Sequence, residues 1–257
     1  MGTLVKWMDR ALYADSSNNW DDELLRQRIL ARIRPHFVIL DVGAGAGILP
    51  QMNFRGVATR VCGIDLDPRV VENPMLDEAK VADAGAIPYA DDCFDLVFAD
   101  NVLEHIEEPS KFFPEIARVL KPGGVFIFKT PNKWHYVPTI SRLTPHWFHQ
   151  SYNQLRGRSA EDTFPTCYKA NSRGDVSRLA AQAGLQVERL DRIEGRPQYL
   201  RITAATYVVG AAYERVVNSS RLLEGLRVVL ISELRKPMGR STRLQSEWIE
   251  GEKVDRF

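Results

Sequence analysis

The chain alternates between short apolar runs and longer stretches whose apolar residues recur at helical spacing. That alternation predicts a parallel sheet flanked by helices. The apolar runs fall at residues 38–41, 61–65, 81–84, 96–98, 125–128, 185–193 and 226–237. Helical patterns fall at 21–34, 109–120, 172–183 and 201–215. The first of these carries Asp21, Asp22 and Glu23 in its opening turn, where the helix dipole favours acids. The second has Phe112, Phe113, Ile116, Val119 and Leu120 on one face, and Lys121-Pro122-Gly123-Gly124 stops it. The expected fold class is α/β, a doubly wound, seven-stranded, mostly parallel sheet with a helical insert before its last strand. The expected division is an N-terminal helical segment at 1–34, one large domain at 35–237 and a polar tail at 238–257.

The first strand ends in Asp41, and three glycines follow at alternate positions: Gly43, Gly45 and Gly47. Such a turn, opening onto a helix, lets a ligand approach the main chain without interference from a Cβ. A dinucleotide fingerprint would read G-x-G-x-x-G, with a pyrophosphate over the helix start, but Ile48 stands where its third glycine belongs. Asp41 would also repel a pyrophosphate. A carboxylate there suits a ligand with positive charge, and S-adenosylmethionine carries both an ammonium and a sulfonium. The second strand ends in Asp65, where a doubly wound sheet places the acid that accepts hydrogen bonds from ribose hydroxyls. Asp67 precedes Pro68, which reads as the first residue of a helix, so Asp67 is expected as its N-cap.

Three further motifs follow: Phe94-Asp95-Leu96-Val97, Leu103-Glu104-His105 and Leu120-Lys121-Pro122-Gly123-Gly124. With the acid-x-G-x-G-x-G start at Asp41, this series resembles the class I (Rossmann-like) S-adenosylmethionine-dependent methyltransferases. The likeness is strongest to small-molecule enzymes of the ubiquinone-pathway and natural-product kind, and it covers roughly residues 35–135. The resemblance implies S-adenosylmethionine as cofactor. Asp41, Gly43, Gly45, Gly47 and Asn101 would hold its methionine end. Asp65 with Leu66 would hold the ribose, and Asp83 with Ala84 the adenine. It implies a small-molecule acceptor, methylated on a hydroxyl oxygen in preference to nitrogen or carbon, with residues 130–170 walling its pocket. His105 is the first candidate base, because an imidazole titrates near neutrality. His135, His146 and His149 in the pocket-wall stretch are further candidates. No metal is expected: the H-W-F-H spacing does not match a zinc site, and Asp100 with Asn132 makes only part of a catechol-type magnesium cluster.

Two other classes compete. A nicotinamide-dependent dehydrogenase fails on Ile48 and on the lack of a Tyr-x-x-x-Lys pair. A scaffold that merely keeps the fold has no need of Asp41, Asp65 and Asp83 together. Nucleic acid is not expected as a partner: the N-P-P-Y type of motif is absent at Asp100-Asn101-Val102-Leu103, and a net charge of +1 offers no field for a polyanion. Cys62, Cys93 and Cys167 show no CxxC spacing, and no stretch has the length of a signal peptide or a membrane span, which together predict a reduced, cytoplasmic setting. The insert at 196–225 leaves four readings open: a lid, a homodimer interface, a helix lying at a membrane surface, or plain packing on the domain; packing combined with a lid is the favoured one. Apolar and aromatic residues around the pocket wall point to a greasy or ring-bearing acceptor. Tyr13 and Trp20 either fold over the cofactor or pack on the sheet.

Overall fold

The computed structural model describes residues 3–14, 19–143 and 166–238. Its seven strands are β1 (Val38–Val42), β2 (Arg60–Asp65), β3 (Glu78–Val81), β4 (Phe94–Asp100), β5 (Leu120–Pro131), β6 (Gln186–Ile193) and β7 (Val229–Arg235). They form one sheet in the order β3-β2-β1-β4-β5-β7-β6. Pairing is parallel from β3 to β5, while β7 runs antiparallel to both β5 and β6. The order reverses between β1 and β4, so a crevice opens outside their carboxyl ends, where ligands of doubly wound sheets bind. Asp41, Asp65, Asp100 and Asn132 all lie at or just beyond that edge, as does Glu194 after β6.

The helices are α1 (Thr3–Leu12), α2 (Trp20–Arg32), α3 (Pro109–Val119), α4 (Tyr136–Leu143), α5 (Arg173–Gln182) and α6 (Ala204–Ser219). Both sheet faces are covered, which is why the strands read as near-continuous apolar runs. On one face Leu40, Val42, Val97, Phe126 and Phe128 pack against Phe112, Phe113 and Ile116 of α3 and Val176 and Leu179 of α5. Phe113 meets Phe126 and Phe128 edge-on, at ring separations of 6.4 and 6.5 Å. On the other face Leu25 and Ile29 of α2 cover Ile39, Val61, Leu96, Phe98 and Ile127.

Several expectations need correcting. The glycine turn does not open onto an α-helix but onto a single 3₁₀ turn, Pro50–Met52. Arg26 of α2 donates to the carbonyls of Gln51 and Asn53, so side-chain donors occupy acceptors that a longer helix would have used. The segment after β2 is likewise a 3₁₀ helix, Pro68–Glu72; Asp67 caps it as expected, accepting from the Arg69 amide. It stops at Asn73 because Pro74 follows and disfavours the helical region before it. β5 begins at Leu120 rather than after the glycines, with Gly123 turning the chain at φ +83°. α1 was not expected, although Val5, Met8 and Leu12 stand at helical spacing. The insert helix is shifted, running to Ser219 from a capping box made by Thr203 and Thr206. The tail beyond residue 238 lies outside the described residues.

Candidate active site

The glycine turn is built by hydrogen bonds to β2. The amides of Gly43 and Ala44 donate to the Ile64 carbonyl at 2.8 and 3.1 Å, and the Gly45 amide donates to Asp65 Oδ2 at 2.8 Å. Asp65 Oδ1 accepts from the Asp67 amide, also at 2.8 Å. One carboxylate thus ties the turn after β1 to the turn after β2. Asn73 closes the far side, donating to the carbonyls of Ala44 and Gly45. Gly43 needs its φ of +79°, and a Cβ there would come 2.3 Å from Val102 Cγ2. Gly43→Ala is therefore expected to lower stability by about 1–3 kcal/mol and to shift the turn; urea midpoints against the native chain would check this.

Asp41 is buried at the end of β1, and its carboxyl is pushed well above the usual range by burial, by Asp100 and by Asp65. Among the described residues no cation offsets those influences on it. Asp100 at the end of β4 is pushed up to about 6, chiefly by burial and partly offset by Lys129. Lys129, fully buried in β5, lies 3.0 Å from Asp100 and 2.9 Å from Asp21, and also pairs with Asp22. Burial disfavours its charge, but the three carboxylates outweigh that and keep it protonated. The first turn of α2 is thereby anchored to the ligand edge of the sheet.

Glu104 belongs to the same edge. It is buried, and burial pushes it up to about 7 although the Thr130 hydroxyl donates to it at 3.0 Å. Asn171 in turn donates to Thr130 Oγ1 at 2.6 Å. An acid raised on folding binds its proton more tightly in the folded chain, so stability falls as pH rises from about 4.5 through about 7. Glu104→Gln is expected to flatten that part of the stability profile, read as urea midpoints at pH 5 and pH 8; an unchanged slope would assign the titration elsewhere.

The remaining expected residues divide. Asp41, Gly43, Gly45, Gly47, Asp65, Leu66 and Asn101 come together at adjacent strand ends. Leu66 and Asn101 are exposed, and Asn101 holds φ +53° while its amide donates to the Lys129 carbonyl. Asp83, just past β3, is exposed and accepts from the Gly85 amide at 2.7 Å, while Ala84 is buried behind it. His105 is half-buried in the turn after β4, its amide bonded to the Val102 carbonyl.

His135 does not have the character of a general base. It is buried against Tyr136, Tyr199 and Tyr213, and burial lowers its pKa to about 3. Its Nδ1 accepts from the Val137 amide, and its Nε2 faces Glu194 at 3.7 Å. Burial in turn pushes Glu194 up to about 8. His146 and His149 lie outside the described residues, as does most of the 130–170 stretch. Asn132 is committed to the carbonyls of Gly225 and Arg227, which takes it away from any cluster with Asp100. Among the described residues no group of His, Cys, Asp and Glu is arranged to hold a metal ion. Tyr13 and Trp20 both turn to the insert: Tyr13 donates to Glu214, and Trp20 donates to Gln198 and lies over Gly195. Lys129 and Glu194 went unnoticed in the sequence, where Asp21 and Asp22 read only as helix-start acids and Glu104 only as part of a motif; a lysine closing the apolar run Val125–Phe128 was the visible signal.

S-adenosylmethionine fits these residues. Its cationic groups would answer the uncompensated Asp41, which stands at the end of β1 just before the glycine turn.

Residues 40–128 match the family described as a methyltransferase domain. An uncharacterized methyltransferase of Mycobacterium leprae is 28% identical over 172 residues, covering 62% of this chain and 63% of the relative. The chain thus spans less than two thirds of that relative's length. A ubiquinone biosynthesis O-methyltransferase of Thiobacillus denitrificans is 29% identical over 168 residues, covering 62% of this chain and 68% of the relative. Among solved structures, geranyl diphosphate C-methyltransferase from Streptomyces coelicolor, in complex with S-adenosyl-L-homocysteine, superposes with a TM-score of 0.54. It is 16% identical, over 84% of this chain and 79% of that one, a likeness of fold.

Proposed function

We propose that this chain, whose residues 40–128 match a methyltransferase domain, moves a methyl group from S-adenosylmethionine to a hydroxyl oxygen of a small molecule. The observation that carries this reading is the convergence of Asp41, Asp65 and Asp100 on one glycine turn, with Asp41 uncompensated. Asp41 and Asn101 take the methionine end, and the turn from Gly43 to Gly47 lies along it. Asp65, already oriented by two amides, turns its remaining lone pairs to the ribose, with Leu66 beside it. Asp83 and Ala84 take the adenine.

The cofactor supplies a methyl carbon activated by its sulfonium. What the chain adds is chiefly alignment, which can be worth about 7–11 kcal/mol. As the methyl group moved to the acceptor oxygen, His105 would take the hydroxyl proton. Oxygen is favoured over carbon by that half-buried imidazole at the ligand edge, and by the relative whose name specifies O-methylation.

Calorimetry with S-adenosylmethionine, with NAD as control, tests the reading. Micromolar binding of the first and none of the second would support it, and labelled methyl transfer to phenolic acceptors would then separate oxygen from carbon. A folded chain that binds neither would leave a scaffold as the better account.

A further inference from the structure

α1 and α6 form a small unit of their own beside the sheet. Val5 and Met8 pack on Tyr207 and Ala211, and Asp9 pairs with Arg201 and accepts from the Tyr207 hydroxyl at 3.0 Å. The outer side of this unit is a groove of about 330 Å³ lined by Met8, Leu12, Val208, Ala211, Ala212 and Arg215. Its two lips are also apolar. Leu4 and Trp7 stand exposed on α1, and Val209 and Val216 on α6, with Trp7 60% and Val209 63% accessible. Nothing within the described chain covers this face.

The charges around it sort by direction. The acids turn inward: Asp9 to Arg201, and Glu214 to the Tyr13 hydroxyl at 2.9 Å. The bases stay outside. Lys6, Arg10 and Arg215 are all exposed, Arg215 donating to the Ala211 carbonyl of its own helix and standing 3.8 Å from Glu214. Two copies of such a face would repel each other, whereas an anionic surface would be attracted. A tryptophan and aliphatic residues beside lysine and arginine are also the composition of helices that lie in a lipid interface.

We propose that the exposed face of α1 and α6 docks on an anionic lipid surface, with Leu4, Trp7, Val208 and Val209 entering the headgroup layer and Lys6, Arg10 and Arg215 meeting lipid phosphates. Among the described residues no helix is long and apolar enough to cross a membrane, and the attachment proposed is a peripheral one. α6 begins soon after the carboxyl end of β6, and docking brings the ligand edge of the sheet close to the bilayer. This inference does not rest on methyl transfer.

The test is flotation of the full chain with phosphatidylcholine vesicles, with and without phosphatidylglycerol. Binding is expected only with phosphatidylglycerol. It should fall at least about tenfold when the ionic strength is raised to roughly 1 M, where the screening length is about 3 Å. It should fall similarly in the double variant Trp7→Ser/Val209→Ser and in Lys6→Gln/Arg10→Gln. These side chains are exposed, so unchanged S-adenosylmethionine binding and circular dichroism would show that the fold is intact. No flotation of the native chain would overturn the proposal. So would flotation that both variants retain, or a native dimer in sedimentation that Trp7→Ser/Val209→Ser dissolves. A chain that floats but binds no S-adenosylmethionine would leave this proposal standing and remove the functional reading instead.

Discussion

Lys129→Met is expected to destabilise the chain by about 3–5 kcal/mol at pH 8, the cost of leaving buried charge without its partner. Lys129 is fully buried and serves Asp21, Asp22 and Asp100 together, so its removal leaves three carboxylates facing one another. Asp100 already sits near pH 6 with the lysine in place. Without it the folded-state pKa of Asp100 rises further above its unfolded value. The folded variant then binds more protons than the unfolded one, so its stability falls as pH rises and recovers as pH is lowered. Urea midpoints of native and variant chains should converge between pH 8 and pH 5. Adding Asp100→Asn to Lys129→Met should restore part of the loss, since one of the stranded charges is gone. A pH-independent loss below about 1 kcal/mol, the level of an exposed pair, would mean that the network does not anchor α2.

Asp65→Ala is expected to weaken S-adenosylmethionine binding by roughly 100-fold, about 2.8 kcal/mol at 1.4 kcal/mol per decade. Two losses combine. The proposed ribose acceptor goes, and so does the group that holds the Gly45 and Asp67 amides at 2.8 Å each, which sets the shape of both turns. Asp65→Asn separates them, because an amide keeps one oxygen acceptor while losing the charge. It should retain more affinity than alanine. Calorimetry on all three chains, with thermal melts to confirm folding, gives the comparison. Equal affinities for native and alanine chains would move the ribose elsewhere, with Asp67 unavailable because Arg69 already claims it through both backbone and side chain.

Asp65 also marks how far local pattern reaches. The strand ending in an acid is a short-range feature, and its position beside the glycine turn follows from parallel pairing of β1 with β2. Asp67 as a cap was legible for the same reason, since the cap, Pro68 and the Arg69 amide lie within three positions. His135 shows the opposite case. Its identity is plain in the sequence, but its burial comes from Tyr199 and Tyr213, which approach from the insert. The base-like character expected of it disappears with solvent.

The sequence by itself determined the α/β class, six of the seven strands, three of the helices closely, and the acids and glycines at the strand ends; the third strand lies at Glu78–Val81, not at 81–84 as expected. All of these depend on periodicity or on neighbours within a few residues, because strands buried on both faces and turns with positive φ each demand particular residue types locally. Only the tertiary structure decided the rest. Lys129 meets Asp21 and Asp22 across more than a hundred residues of chain, α1 finds α6, and Arg26 holds the loop after the glycines to a single 3₁₀ turn. Those contacts are set by which surfaces the packed sheet brings together, and burial then fixes the charge of Asp41, Glu104 and His135, a property no spacing along the chain encodes.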